Sequence, residues 1–273
     1  MTKLTATTTA VVLVVGMAAC GDDDSSDDAA DDTPQTTVAG TETDTGTGGE
    51  TDDAAEGDAA AFCDALIEFN GAVFSIELDD SSTPEQVEEV GAELAPLFAT
   101  IVENAPSDVA DQAAELDSAV SALAEGDASA FNSDATFEAY GAFVEDSVGA
   151  CDLTEVEVTG IDYGFEAPAS IPAGNVSFAF TNASDVEEHE MVLMRKADGV
   201  EASWDELLQL PEEEAMSQTQ FVGAAFAPPS GAMTTMASLE TGDYAMLCFI
   251  PIGGAEDGAP HFTAGMVHEF TVE

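Results

Sequence analysis

Near Asp152 the spacing of apolar residues changes from one that suits helices to one that suits strands, and a single packed layer cannot satisfy both. Upstream, Thr83-Pro84-Glu85-Gln86 has the form of a capping box with proline in the first turn, and Val87, Val90, Leu94, Leu97 and Ile101 follow at helical spacing. Ser107 is predicted to open another helix, with Val109, Ala113, Leu116, Val120 and Leu123 on one stripe and Gly126 ending it. Phe62, Leu66, Phe69 and Val73 form an earlier stripe, and Phe137, Tyr140, Val144 and Val148 a later one. Downstream, Val176, Phe178 and Phe180 alternate, as do His189, Met191 and Leu193, then Tyr244, Met246 and Cys248, and finally Met266, Phe270 and Val272. The reading is a multidomain chain. An all-α four-helix bundle of up-down-up-down order over 59–152 precedes an all-β antiparallel sandwich of roughly seven or eight strands over 153–273. Ser203-Trp204-Asp205-Glu206 is a second capping box and predicts a short helical insertion in the sandwich.

The cysteines test the helical order. In an up-down-up-down bundle the start of the first helix and the end of the fourth share one end, which is where Cys63 and Cys151 fall. They are expected to form a disulfide, worth about 4 kcal/mol on a chain-entropy model. No histidine lies near them, since His189, His261 and His268 all come after Asp152.

Residues 1–20 carry one lysine, an apolar run from Ala10 to Val15 and then small residues, the pattern of a secretory signal. The run is too short to span a bilayer. Met17-Ala18-Ala19-Cys20 resembles the lipobox of bacterial lipoproteins, which implies cleavage before Cys20, a lipid on its sulfur and an extracytoplasmic protein anchored to the membrane. Residues 21–58 hold 14 acidic residues and no basic or aromatic one, so they are read as a disordered, self-repelling tether. An exported chain permits the Cys63–Cys151 bridge. With Cys20 lipidated, Cys248 is left as the odd thiol.

Charge then narrows the partners. The 56 acidic residues face three basic ones, Lys3, Arg195 and Lys196, which excludes nucleic acid as a natural partner and favours a redox partner with a basic surface.

Cys248, His261 and Met266 cluster near the chain's end, and His189 offers a further imidazole. A thiolate, two imidazoles and a weak thioether make the trigonal site that copper uses for electron transfer. The segments Thr181-Asn182 to His189-Glu190-Met191-Val192-Leu193, Leu239-Glu240-Thr241-Gly242-Asp243-Tyr244 to Cys248, and Pro260-His261 to Gly265-Met266 resemble the cupredoxins over about the last 120 residues. That resemblance implies a Greek-key sandwich with one type I copper, bound by His189, Cys248 and His261 with Met266 as axial ligand. Two features depart from the family. Twelve residues, Phe249 to Pro260, separate Cys248 from His261, and Glu190 stands where an asparagine often ties the ligand loops together. His268 shares the strand face of Met266 and either competes as a ligand or lies beyond the site.

Three functional classes follow. One is a membrane-tethered electron carrier. Another stores or delivers Cu(I), using Met191, Met194, Met233 and Met236 as extra thioethers. The third is a metal-free binding module with the helices as its recognition part. No nucleophile triad, phosphate loop or second metal centre points to an enzyme.

Overall fold

A computed structural model describes residues 57–273 apart from 77, 79–81 and 256–257, and these belong to one compact unit. The signal, Cys20 and nearly all of the acidic tether lie outside the described residues. Four helices come first: α1 (Ala59–Val73), α2 (Pro84–Asn104), α3 (Ala110–Ala124) and α4 (Asp134–Ser147). Asp58 caps α1 by accepting from the Ala60 and Ala61 N–H groups, and Thr83 with Gln86 closes the expected capping box on α2. The third helix starts at Ala110 rather than Ser107, because residues 107–109 form a turn whose Val109 packs inward. At its end Gly126 takes a left-handed φ of 83°, and its N–H bonds the Leu123 carbonyl. Gly91 on α2 lies against the α3 backbone, where a Cβ would meet Ala124 N at 2.3 Å, so only glycine permits this approach.

The apolar stripes face a common core of Phe62, Leu66, Phe69, Leu94, Phe98, Ile101, Leu116 and Leu123. In α4 the stripe is rotated from the expected one. Phe143 is fully buried and meets Phe62 edge-on, whereas Phe137 is 39% exposed. The Cys63–Cys151 disulfide is present, with its Cα atoms 5.7 Å apart.

The remaining chain forms two sheets. Strands β1 (Thr154–Ile161), β2 (Gly164–Glu166), β4 (Gly174–Asn182) and β7 (Ala232–Leu239) pair in the order β2-β1-β4-β7. The second sheet, in the order β3-β9-β8-β5-β6, holds β3 (Ser170–Ile171), β5 (His189–Lys196), β6 (Thr219–Ala227), β8 (Gly242–Leu247) and β9 (Val267–Val272). The sandwich is not purely antiparallel, as β1 runs parallel to β4 and β3 parallel to β9. Parallel neighbours need a crossover, and the excursion through β2 and β3 supplies one between β1 and β4.

Between the sheets lie Val176, Phe178, Phe180, Met191, Leu193, Tyr244, Met246 and Phe270, the alternating positions seen in the sequence. Both outer faces carry further cover. Trp204 and Leu207 of α5 (Trp204–Leu207) pack on Ala245 and Leu247, so every residue of β8 from Tyr244 to Leu247 is buried. A further turn, α6 (Glu212–Met216), leads into β6. On the other side, α1 and α4 rest on β7, and Met236 belongs to the helical core.

A buried amide locks that junction. Asn70 Nδ2 donates to Thr235 Oγ1 at 2.7 Å and to the Met236 carbonyl at 2.9 Å, while its Oδ1 accepts from the Tyr140 hydroxyl at 2.9 Å. Burial pushes the Tyr140 phenol up, which keeps it protonated as the donor. No described helix is long and apolar enough to cross a membrane.

Candidate metal centre

Adjacent strands bring the ligand candidates together. β5 and β8 pair antiparallel with Val192 opposite Leu247, so Cys248, just past the end of β8, comes alongside the first residues of β5, the strand that His189 opens. A tight turn adds the other two. After Pro260, His261–Ala264 form one 3-10 turn that Gly265 closes at a left-handed φ of 114°. The Met266 N–H then donates to the His261 carbonyl at 3.2 Å, and the Met266 carbonyl accepts from the Cys248 N–H at 3.4 Å. The five-residue spacing between His261 and Met266 is thus the length of that turn, and the backbone binds Met266 to both neighbours.

The long connection does not displace His261. Its base is a short ladder in which the His261 N–H bonds the Ile250 carbonyl at 2.9 Å, the Ile252 N–H bonds Ala259 at 3.0 Å, and Pro251 bridges Pro260. Phe262 N–H also donates to the Cys248 carbonyl at 2.9 Å. The described residues of the connection therefore leave as an arm from a fixed base.

His189, Cys248 and His261 are all buried, and one ligand atom from each lies within 4.8 Å of the others. The two Nδ1 atoms are 3.2 Å apart, and Cys248 Sγ is 3.4 Å from His261 Nδ1. Two imidazole nitrogens and a thiol that converge in this way need a shared proton or a cation between them. Among the described residues this is the one such cluster, and its donors suit a soft or borderline metal ion. Met266 is likewise fully buried and packs in the same core as Cys248. His268 stays out, because its Nε2 lies 3.1 Å from the Pro168 carbonyl and is engaged there as the donor.

Burial governs the electrostatics. Desolvation lowers both His189 and His261, so each imidazole stays neutral, the form that ligates. It pushes the Cys248 thiol up to about 12, against the opposing pull of the Glu190 N–H, which donates to Sγ at 3.5 Å. A metal ion bound here must displace that thiol proton.

Glu190 fills the place of the expected asparagine and makes the tie itself. Its Oε1 accepts from the Phe249 N–H at 2.7 Å, joining β5 to the residue after Cys248. Loss of hydration raises the carboxyl from 4.5 to about 7. Such a group binds more protons folded than unfolded, so its stabilising contribution is full below about 4.5 and is lost as pH rises through about 7. Glu190→Gln keeps an oxygen for Phe249 and removes the charge. In denaturant titrations of the metal-free protein, its stability relative to wild type should rise between about pH 5 and pH 7.5 and then level off. A difference independent of pH would show that the carboxyl carries no shifted proton.

The sequence did not single out Glu187 or Asp162. Glu187 Oε2 lies 3.5 Å from His261 Nε2, and Asp162 Oδ1 lies 3.9 Å from His189 Nε2. Tyr163, whose backbone is left-handed at φ 60°, sets its ring edge-on to His261 at 5.3 Å. The four methionines of the proposed thioether pairs do not converge. Met191 and Met233 lie in the sandwich core, Met194 packs beside Trp204, and Met236 is in the helical core.

No protein-family model matches the chain, and no curated protein matches it. Among solved structures it is similar to reduced auracyanin from the photosynthetic bacterium Roseiflexus castenholzii, at 21% identity over 44% of this chain and 97% of that one, with a TM-score of 0.31. It is similar also to auracyanin A, a blue copper protein of the green thermophilic photosynthetic bacterium Chloroflexus aurantiacus, at 18% identity over 44% and 98% of the two chains, with a TM-score of 0.29. Reduced rusticyanin matches at 18% identity over 45% of this chain and 81% of its own, with a TM-score of 0.31.

Proposed function

We propose that residues 153–273 form a cupredoxin-like Greek-key sandwich that binds one copper ion in a type I site and transfers electrons, with the four helices bundled on its outer face. His189, Cys248 and His261 would hold the ion, with Met266 as a weaker fourth donor. The observation that carries the reading is the convergence of two buried imidazoles and one buried thiol. Copper in such a donor set supplies one-electron redox chemistry. The chain's own contribution is to hold the donors fixed and dry. The Glu190 N–H steadies the Cys248 sulfur, the turn after Pro260 couples His261 to Met266, and the ladder below the arm fixes His261 against Cys248. A site held by backbone bonds on every side has little room to rearrange between oxidation states.

Adding Cu(II), and in a parallel anaerobic titration Cu(I), to the purified protein tests this. One copper per chain with strong visible absorption is the expected result. Several colourless Cu(I) ions per chain would favour storage instead, against the dispersed methionines, and no binding would leave a metal-free binding module. The same reading makes the protein a carrier rather than an enzyme.

It also places the mature chain outside the cytoplasm, anchored by a lipid on Cys20. Mass spectrometry that finds an unmodified N-terminus at another residue would remove the anchor. The redox partner in this view presents a basic surface. Both described basic side chains are already engaged, Arg195 by Asp198 at 2.8 Å and Lys196 over the Trp204 ring, so little offsets the acidic field. Association that did not change with salt would exclude charge steering.

A further inference from the structure

The two histidines present their Nδ1 atoms to each other, and that of His261 also faces Cys248 Sγ, so their Nε2 atoms point away from the cluster. Each Nε2 is buried without a hydrogen-bond partner of good geometry. What each faces is a carboxylate, at 3.5 Å for His261 and 3.9 Å for His189. The two carboxylates are not equivalent. The Glu187 side chain is 20% exposed and that of Asp162 60%, so water screens Asp162 far more.

Glu187 is also held in place. Its Oε2 accepts from the Gly253 N–H at 3.3 Å, its own N–H donates to Ser184 Oγ at 3.0 Å, and its carbonyl accepts from Asn182 Nδ2 at 2.8 Å. It thus pins the arm of the long loop to the loop before β5, directly behind His261.

We propose that Glu187 is a positioning residue of this centre: its carboxylate keeps the proton of His261 on Nε2, so that the Nδ1 lone pair faces Cys248, and its fixed negative charge favours the more oxidised state of a bound metal. A neutral imidazole has one N–H, and a carboxylate opposite Nε2 selects the tautomer that offers Nδ1 as acceptor or ligand. The thiol of Cys248, 3.4 Å from His261 Nδ1, needs such an acceptor in the metal-free protein. The charge acts in the same sense once a metal is bound, because a higher positive charge gains more from a nearby anion. The second half of this proposal rests on the copper reading, and the first does not.

Long-range proton–nitrogen NMR of the histidines in the metal-free protein tests the first half. Wild type should show His261 protonated on Nε2. Glu187→Ala, which offers no acceptor, should give a mixture of tautomers, and Glu187→Gln, whose amide oxygen replaces the carboxylate, should restore the Nε2–H form. A wild-type proton on Nδ1, or no change in Glu187→Ala, overturns it.

The reduction potential of the copper-loaded protein tests the second half. Glu187→Gln should raise it by the equivalent of a tenfold change in relative Cu(I) affinity, ~59 mV for one electron. Asp162→Asn should raise it less, and Glu115→Gln on α3 serves as the control for loss of one negative charge. A Glu187→Gln potential equal to that control refutes the charge effect. Wild type that takes up no copper refutes the copper reading and the charge effect with it, while the tautomer result still decides the positioning role.

Discussion

Cys248→Ser should abolish the visible absorption of the copper-loaded protein outright. Thiolate donation into Cu(II) is the source of that colour, and its softness lets one site hold both oxidation states. A serine hydroxyl supplies neither, whereas it fits the space that sulfur occupied. The far-ultraviolet circular dichroism should therefore be unchanged, which separates loss of the centre from loss of the fold. Met266→Leu should behave differently, keeping the colour and raising the potential, since it removes only a weak axial donor. Copper bound equally well and with the same colour after Cys248→Ser would end the electron-transfer reading.

Asn70→Leu should produce a large loss of stability far from the centre. It removes the amide that satisfies the Tyr140 hydroxyl, Thr235 Oγ1 and the Met236 carbonyl, all buried where α1, α4 and β7 meet. Stranding buried polar groups costs about 1–3 kcal/mol each, so a net loss of about 3 kcal/mol is expected. For a unit of this size that lowers Tm by roughly 6–12 °C. The junction is also what makes helices and sandwich one body, so wild type should unfold in one calorimetric transition and Asn70→Leu in two. A variant with unaltered Tm and one transition would show that the junction contributes nothing.

The features that could be read from the chain are those that repeat. Helical and alternating stripes recur along many residues, and Phe62, Leu94, Phe178 and Met246 are buried as their spacing implies. The Cys63–Cys151 bridge followed from helix order and parity, and it is present. What depended on tertiary packing was hidden. Phe137 and Phe143 both fit a helical period within a turn or two, and only the neighbouring Phe62 decides that Phe143 goes inside. Asn70 is one polar residue in an apolar stripe, and nothing local reveals that α1 meets β7. The parallel pairing of β1 with β4 leaves no local pattern either, because periodicity reports which face is buried and not which strand lies beside it.

The candidate centre shows the same division. His189, Cys248 and His261 were visible because few residue types can do their chemistry and the chain holds only three histidines. Glu190 stood out by its position next to His189, but whether it broke or replaced the usual tie needed the bond to Phe249. Glu187 and Asp162 were invisible for a statistical reason: two acids that face imidazoles cannot be told from the other acidic residues among 56.

The ladder at the foot of the Phe249–Pro260 connection separates two quantities that a ligand motif usually fuses, how many residues lie between cysteine and histidine and where that histidine sits. With Ile250 bonded to His261 and Pro251 bridged to Pro260, the spacing across the site is set by pairs of atoms and no longer by chain length. Chain length can therefore change beyond the ladder as long as Gly253 keeps its bond to Glu187, so a label or tether added there leaves His261 where the ladder holds it.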